Sequence, residues 1–410
     1  MKLRVPYFYK EFHCIADRCK DSCCIGWEID IDEDTYEYYQ EIEGAFGERL
    51  RKNMKSEEEN CFRLKNRRCP FLNPKNLCDI CIELGEEALC EVCTEYPRFT
   101  MEYGDVMEKS MALSCEEVGR LLFHTDHPFE IEEQVLADSS CYGWDEIASD
   151  MDAENVQFMD ESVDTPEVFM EYEADDFYED DEVSIEQIHA AETIRDTALQ
   201  ILCNRKKTIE KRIQIYLSYC EKAQHLYAAE EYQNIENLSI FDENCEKKPN
   251  FDSNYILARF QTFDALETLD EEWRVSYRNV KEKIQKEIMA STYLAHIKEF
   301  MREVREREYE YEQLLCYFTF RYFMRAVYDF DFLSKAKFAV VSFLMIRDFD
   351  LICYLDQNKS YSLENRIDIA RIYSKEVEHS DDNVSALLEE MQFDDTYEIP
   401  HLVEQVDLCM

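Results

Sequence analysis

The sequence predicts a mainly α-helical protein, with a cysteine-rich, metal-bound N-terminal region of short helices and loops and a C-terminal helical domain. Only seven glycines occur among 410 residues, and none lies beyond Gly143. Proline is equally scarce, since Pro249 is the only one between Glu167 and Ile399. A chain this poor in helix breakers favours long helices. The N-terminal region is set apart because eleven of the eighteen cysteines lie in the first 115 residues.

Composition divides the chain into three segments. We assign residues 1–125 to a cysteine-rich metal or iron–sulfur cluster region, 126–183 to an acidic linker or insertion, and 184–410 to the helical domain. Residues 130–182 contain 21 Asp and Glu and no Lys or Arg. Such a run of like charges repels itself and stays solvated, which favours a linker. The alternative is an electrostatic lure for a basic substrate.

Hydrophobic periodicity places the helices. Residues 32–50 carry helical spacing in the N-terminal region. The helical domain begins at Ser184, which Gln187 follows at the spacing of a capping box. The segments 314–330 and 333–355 are apolar on most faces, so they are predicted to be buried helices. Further helices are predicted at 208–228, 254–270, 275–302, 307–328, 333–355, 363–379 and 383–391.

Charge and glycine content exclude several classes of function. The 45 basic and 91 acidic residues give a net charge of −46, which repels nucleic-acid backbones and anionic lipid. The chain has no G-x-G sequence, whereas phosphate-binding loops need glycine for close backbone approach. We therefore exclude a P-loop NTPase, a Rossmann dehydrogenase and a doubly wound methyltransferase.

The sequence predicts a cytoplasmic protein without a membrane partner. The N-terminus has no apolar signal region. The longest apolar run, Phe338 to Ile346, is far shorter than the ~20 residues that span a bilayer. Clustered cysteines in a reducing compartment indicate metal, iron–sulfur or redox chemistry rather than disulfides.

The N-terminal cysteines recur at short spacings. Thiolates bind soft or borderline metals, and iron–sulfur clusters use the same ligand. Cys78-x2-Cys81-x8-Cys90-x2-Cys93 is by itself a tetrathiolate zinc pattern, so zinc stays open beside an iron–sulfur cluster. Scattered buried thiols are the third alternative. The remaining, isolated cysteines are predicted to be apolar fillers or surface thiols: Cys141, Cys203, Cys220, Cys245, Cys316, Cys353 and Cys409.

Several motifs together resemble one family. They are Cys14…Cys19…Cys23-Cys24 with Gly26-Trp27, Cys69-Pro70-Phe71-Leu72, Leu77-Cys78, Leu84-Gly85-Glu86, Cys90…Cys93…Tyr96-Pro97-Arg98 and Leu113-Ser114-Cys115. With the helical segments 317–328 and 337–342, they resemble the flagellin lysine-N-methylase family. The cysteine motifs also resemble a wider group of iron- or zinc-chelating proteins. A radical S-adenosylmethionine assignment is not supported, because Cys24 directly follows Cys23 where C-x3-C-x2-C requires a gap.

The resemblance implies that the protein transfers methyl groups from S-adenosylmethionine to lysine ε-amines of flagellin. It also implies a [4Fe–4S] cluster, with zinc as the alternative metal. Cys61 and Cys81 do not match the family motif firmly. The ligand role is carried over onto Cys14, Cys19, Cys23, Cys24, Cys69, Cys78, Cys90, Cys93 and Cys115. These nine exceed the needs of one cluster, so either two centres exist or some of the thiols are structural.

Three arginines are candidates for binding the cofactor carboxylate. Arg98 follows the Tyr96-Pro97 pair, and its alternatives are neutralising a cluster or pairing with a glutamate. Arg321 and Arg325 lie four residues apart and share a helix face; an internal acidic partner is the alternative for both. The sequence does not identify a catalytic residue.

Two other functions remain open at the level of sequence. One is a non-enzymatic zinc- or iron-binding interaction module, and the other is an iron–sulfur redox sensor. The methyltransferase is favoured by the family resemblance alone.

Overall fold

The N-terminal region combines short helices with a β-sheet. The computed structural model describes residues 1–56, 60–136, 183–240 and 252–407. Most of the acidic segment, residues 137–182, thus lies outside the described residues. The helices before it are α1 (Glu33–Glu41), α2 (Gly44–Asn53), α3 (Asp79–Leu84), α4 (Glu91–Glu95) and α5 (Glu116–His124).

The sheet was not expected from the sequence. Strand β1 (Lys2–Pro6) pairs in parallel with β5 (Val106–Met111) and antiparallel with β6 (Ile131–Val135), and β4 (Arg98–Tyr103) pairs antiparallel with β5. The strand order is β4-β5-β1-β6. Two further strands, β2 (Met54–Ser56) and β3 (Asn60–Phe62), form a separate antiparallel pair.

Buried polar residues explain why these strands escaped detection. All six residues of β5 are buried, although three of them are polar. Glu108 is paired there with Arg195 and accepts a hydrogen bond from the Tyr103 hydroxyl at 2.6 Å. These partners offset the desolvation free energy of the buried Glu108 carboxylate. Because the whole strand is buried and carries Glu108, Lys109 and Ser110 in succession, β5 shows no alternating hydrophobic pattern.

Helices, most of them long, make up most of the described chain after residue 183, as the scarcity of glycine and proline predicts. They are α6 (Ile185–Leu202), α7 (Ile209–Ala228), α8 (Tyr232–Ile235), α9 (Ser253–Asp264), α10 (Glu271–Met289), α11 (Tyr293–Glu303), α12 (Tyr309–Phe323), α13 (Ala326–Asp329), α14 (Leu333–Asp356), α15 (Leu363–Val377), α16 (Asp381–Phe393) and α17 (Ile399–Val406). Within the described ranges, no helix is long and apolar enough to cross a bilayer.

The helix boundaries follow local chemistry. The Ser184 hydroxyl accepts a hydrogen bond from the Gln187 N–H at 3.1 Å, so the predicted start is confirmed. The predicted helix 275–302 is instead two helices, since the backbone turns at Ser291 with a φ of 58°. The predicted helix 307–328 is likewise divided, because α12 ends at Phe323 and α13 begins at Ala326.

Helix α14 is the centre of the helical domain. Every residue from Ser334 to Ile352 is buried, which confirms the prediction for 333–355. Two carboxylates of this helix are buried and paired with arginines: Asp348 with Arg259, and Asp350 with Arg366. Such pairs tie α9 and α15 to α14, and each requires both partners.

Glu376 on α15 gives the fold a pH dependence. Burial raises the pKa of Glu376 to about 7, although the N–H groups of Leu269 and Asp270 act in the opposite direction. A carboxyl whose pKa is higher in the folded state binds more protons when folded. We therefore expect the free energy of unfolding to fall as the pH rises from about 4.5 to about 7, by at most ~3 kcal/mol.

Urea denaturation of the full chain across this pH range measures the effect. Glu376→Gln should flatten the profile, whereas the exposed Glu389→Gln should keep it. An unchanged profile for Glu376→Gln would show that this carboxyl is not the source.

Candidate functional site

Helix N-termini hold several of the predicted ligand cysteines. Cys78, Cys90 and Cys115 each immediately precede a helix, namely α3, α4 and α5. Backbone N–H groups of the following turn donate to each of these sulfurs. Cys69 receives the same kind of bond from Phe71 and Leu72. Such donors favour thiolates, which are the form that binds metals, but burial has the larger effect and raises the pKa of Cys69, Cys78 and Cys115.

The nine predicted ligand thiols lie in two neighbouring sets, defined by which thiols act on one another electrostatically. The first thiol set is Cys14, Cys19, Cys23 and Cys115. The second thiol set is Cys24, Cys69, Cys78, Cys90 and Cys93. The vicinal residues Cys23 and Cys24 therefore link the two sets. The number of metal centres that these thiols hold stays a prediction.

The thiols of the two sets differ in acidity. The hydrogen bond between the two vicinal thiols lowers the pKa of Cys24 to about 7 and raises that of Cys23. The same interaction lowers the pKa of Cys90 and raises that of Cys93. Burial raises the pKa of Cys19 to about 12. The second set thus contains thiols that ionise most readily.

Among the described residues, the thiol side chains do not form a complete metal-coordination sphere. Within the described ranges, no three Cys, His, Asp or Glu side chains converge as ligands of one ion. The donor chemistry nevertheless fits a thiophilic centre, because both sets consist of thiols and backbone N–H groups donate to the sulfurs of Cys69, Cys78, Cys90 and Cys115. Cys81 interacts with Cys14 and Cys78, whereas Cys61 donates to the Glu28 carboxylate at 2.8 Å.

Ion pairs dock the first thiol set against helix α15. Asp21 lies between Cys19 and Cys23, and its carboxylate accepts from Arg371 at 2.6 Å and Lys375 at 2.8 Å. The Lys20 ammonium pairs with Asp368 on the same helix at 3.1 Å. The position of the cysteine loop therefore depends on the helical domain.

A buried polar network connects the same two parts. His379 Nε2 and the Tyr96 hydroxyl lie 2.7 Å and 3.1 Å from the Ser114 hydroxyl, beside Cys115. The Trp27 ring contacts the rings of Tyr96 and His379, with centroids 5.8 Å apart in both cases. Burial lowers the pKa of His379 to about 4, so its ring is neutral at pH 7. Trp27 thus packs beside the thiols.

Arg321 faces this network from α12. Its guanidinium pairs with Glu378 at 3.0 Å and lies 3.5 Å from the centre of the Phe99 ring. Glu378 also accepts from the hydroxyls of Tyr317 and Tyr322, at 3.0 Å and 2.9 Å. Arg321 therefore has an internal carboxylate partner, Glu378. Such a partner was the alternative to binding the cofactor carboxylate.

The other two candidate arginines lie on aromatic rings. The Arg98 guanidinium is 5.1 Å from the centre of the Phe12 ring. Arg325 is exposed and lies 5.2 Å from the centre of the Tyr322 ring. Arg321 and Arg325 both contact Tyr322, but Arg325 lies beyond the end of α12, so the prediction that they share one helix face is wrong. Binding of a cofactor carboxylate by the three arginines stays a prediction.

Sequence reasoning missed His379, Ser114 and Glu378. Ser114 lies more than 260 residues before Glu378 and His379, and no histidine spacing marks His379. Ser114 was noticed only as a neighbour of Cys115. Their association depends on the packing of α5 against α15, which is a tertiary contact.

Removing the Asp21 carboxylate should loosen the first thiol set. We expect Asp21→Ala to reduce the free energy of local opening by about 1–2 kcal/mol, because two cationic partners lose a hydrogen-bonded charge. The measurement is amide hydrogen exchange in residues 14–27, which should become roughly tenfold faster. Asp17→Ala is the control, since Asp17 is exposed on the same loop. Equal exchange in both variants would contradict the docking role.

A cavity of about 180 Å³ opens elsewhere in the helical domain. This volume is below the 300 Å³ or so at which ligand pockets begin, so we do not assign it to S-adenosylmethionine. Its lining residues are Gln224, Asp329, Phe330, Asp331, Leu333, Ser334, Lys337 and Gln392.

Comparison with protein families gives one match over the helical domain. The model described as the FliB lysine N-methylase C-terminal domain matches residues 195–404, just over half of the chain. These residues include Arg321, Glu378 and His379. The matched region therefore contains the helical side of the junction with the thiol sets.

Curated relatives are similar to part of this chain. Two lysine-N-methylases, from Salmonella typhimurium and Salmonella choleraesuis, are each 27% identical over 139 residues, covering 32% of this chain and 35% of the relative. The flagellar biosynthetic protein FliU of Salmonella muenchen is 31% identical over 121 residues, covering 28% of this chain and 72% of that protein. The chain thus spans about a third of the two lysine-N-methylases. No solved structure matches.

Proposed function

The chain belongs to the FliB lysine N-methylase family, and from this membership we propose that it transfers methyl groups to lysine side chains of a protein. The observation that carries the proposal is the family match over residues 195–404. Through Arg371 and Lys375, the same region contacts Asp21, which lies between Cys19 and Cys23 of the first thiol set. We therefore propose that the matched region, residues 195–404, and the cysteine-rich region act together as one enzyme.

We further propose S-adenosylmethionine as the methyl donor and flagellin as the substrate, modified in the bacterial cytoplasm before export. The word "flagellar" in the name of the Salmonella muenchen relative supports the choice of substrate. The net charge of −46 also favours association with a lysine-rich protein.

The reaction is a displacement at carbon. The lysine ε-ammonium loses a proton, the nitrogen lone pair of the resulting amine forms the new bond to the methyl carbon, and the bond from that carbon to the sulfonium sulfur breaks. The leaving group is the neutral thioether S-adenosylhomocysteine. The enzyme must align nitrogen, carbon and sulfur and provide an acceptor for the proton. No radical is required, because the amine is itself a nucleophile.

The thiol sets are the proposed site of a [4Fe–4S] cluster, with zinc as the alternative. The first set offers four thiols, Cys14, Cys19, Cys23 and Cys115, and the second offers five. An iron site with an open position would bind the amino and carboxyl groups of S-adenosylmethionine and so orient it. Asp21 and Ser114 then hold the loops that carry Cys23 and Cys115 against the family domain.

Metal analysis distinguishes the two cofactors. Anaerobic purification of the full chain should give about four irons and four sulfides per bound cluster, with the matching absorption spectrum. Stoichiometric zinc without sulfide would replace the cluster by a structural thiolate site. The methyltransferase proposal would then depend on the family membership alone.

Co-expression with flagellin tests the function itself. We expect mass spectrometry to find flagellin peptides that carry added methyl groups on lysine when the full chain is present. A flagellin whose surface lysines are replaced by arginine is the control, and it should stay unmodified. Unmodified wild-type flagellin beside soluble, metal-loaded protein would overturn flagellin as the substrate. The non-enzymatic module or redox sensor would then be favoured.

A further inference from the structure

Two cysteines outside both thiol sets lie side by side in the helical domain. Cys203 follows α6 directly and Cys316 lies within α12, 113 residues later in the chain. Their sulfur atoms are 3.7 Å apart. From the sequence, both were predicted to be isolated apolar fillers or surface thiols. The packing of α6 on α12 brings them together.

We propose that Cys203 and Cys316 form a reversible disulfide, which cross-links the end of α6 to α12 when the protein meets a low-molecular-weight disulfide. The pair is then a redox-sensitive element of the fold. It is separate from the proposed metal ligands and independent of the methyl-transfer reaction.

The two thiols differ in exposure and in acidity, and both differences suit thiol–disulfide exchange. Cys203 is partly exposed, whereas Cys316 is fully buried. The hydrogen bond from Cys316 lowers the pKa of Cys203, and the nearby Arg205 acts in the same direction. Burial raises the pKa of Cys316 well above its usual value. Cys203 is thus the thiol that an external disulfide reaches and that supplies the attacking thiolate.

The exchange balances in two steps. The Cys203 thiolate attacks one sulfur of the small disulfide, which breaks its S–S bond and releases one small thiolate. Cys316 then loses its proton and attacks Cys203 Sγ, which releases the second small thiolate. The two cysteines together give up two electrons, and the small disulfide accepts them as it becomes two thiols.

The geometry requires a short movement. The sulfurs must approach from 3.7 Å to the ~2.0 Å of a disulfide bond. Cys203 lies at the C-terminal end of α6, where the backbone is not fixed by a following helical turn. Arg205, two residues later, bonds to Glu312 of α12 at 2.8 Å and so keeps this end close to α12.

The cross-link should change stability because it closes a long loop. A disulfide between residues 113 apart restricts the unfolded chain far more than the folded one. Since Arg205 also bonds to Asp126, the cross-link lies where the end of the N-terminal region meets both helices. Oxidation should therefore make this junction harder to open.

Non-reducing peptide mapping of the full chain tests the proposal. Reduced protein is incubated with glutathione disulfide, alkylated, digested and analysed by mass spectrometry. We expect a peptide pair joined through Cys203 and Cys316 that disappears after dithiothreitol, and a melting temperature several degrees higher in the oxidised form. Absence of this linked pair under conditions that modify other cysteines would overturn the proposal.

Matched variants exclude indirect effects. Cys203→Ser and Cys316→Ser should each abolish the linked pair and the reversible rise in melting temperature. Cys353→Ser should retain both, since Cys353 is a partly buried thiol elsewhere, on α14. A rise in melting temperature that persists in Cys203→Ser would assign the effect to other thiols and contradict the proposal. Because the assay reads thiols only, its failure leaves the methyltransferase proposal untouched.

Discussion

We expect Asp350→Ala to lower the free energy of unfolding by about 3–5 kcal/mol, because it leaves a buried arginine without its main counter-charge. Arg366 and Asp350 are both fully buried and paired with each other. The hydroxyls of Tyr311 and Tyr361 also donate to this carboxylate. Glu310 remains 3.3 Å from the Arg366 guanidinium, so the lower part of the range is favoured.

Urea denaturation of the full chain measures this loss. Asp356→Ala is the matched control, since Asp356 lies on the same helix and pairs with Lys283 at the surface. Its loss should stay within about 1 kcal/mol. Equal losses in the free energy of unfolding of the two variants would show that the buried Asp350–Arg366 pair contributes no more than the surface pair.

The second large effect concerns the vicinal cysteines. We expect Cys23→Ser and Cys24→Ser each to abolish metal retention and methyl transfer together. A serine hydroxyl does not ionise near neutral pH and is a poor ligand for soft metals. Both residues link the two thiol sets, so each substitution removes a sulfur where the sets meet.

Metal content per folded chain is the measurement, and Cys220→Ser is the control. Cys220 is buried within α7 and belongs to neither thiol set. Its substitution should leave the metal content unchanged. Full metal content in Cys23→Ser or Cys24→Ser would remove that residue from the ligand set.

The helical domain was predictable because its signals are local. Apolar residues on most faces of 333–355 predicted a buried helix, and Ser184 with Gln187 marked the first helix boundary. The breaks at Ser291 and after Phe323 were not predictable, because no glycine or proline marks them. The sheet was missed since β5 buries Glu108 against Arg195, a partner 87 residues away.

The candidate site was predictable in its residue types but not in its arrangement. Motifs that resemble the lysine-N-methylase family, and not spacing alone, identified the nine thiols that lie in the two sets. Spacing does not show that Cys78, Cys90 and Cys115 precede helices whose N–H groups face their sulfurs. The pairing of Arg321 with Glu378 and of Ser114 with His379 depends on long-range packing, and so does the approach of Cys203 to Cys316.

Methyl transfer by the purified chain tests the central claim, protein-lysine methylation, most directly. The anaerobically purified, metal-loaded protein is incubated with flagellin and S-adenosylmethionine labelled in its methyl group. We predict label on lysine Nε atoms and one S-adenosylhomocysteine for each methyl group transferred. Neither labelled lysine nor S-adenosylhomocysteine, from protein that is folded and fully loaded, would contradict the account.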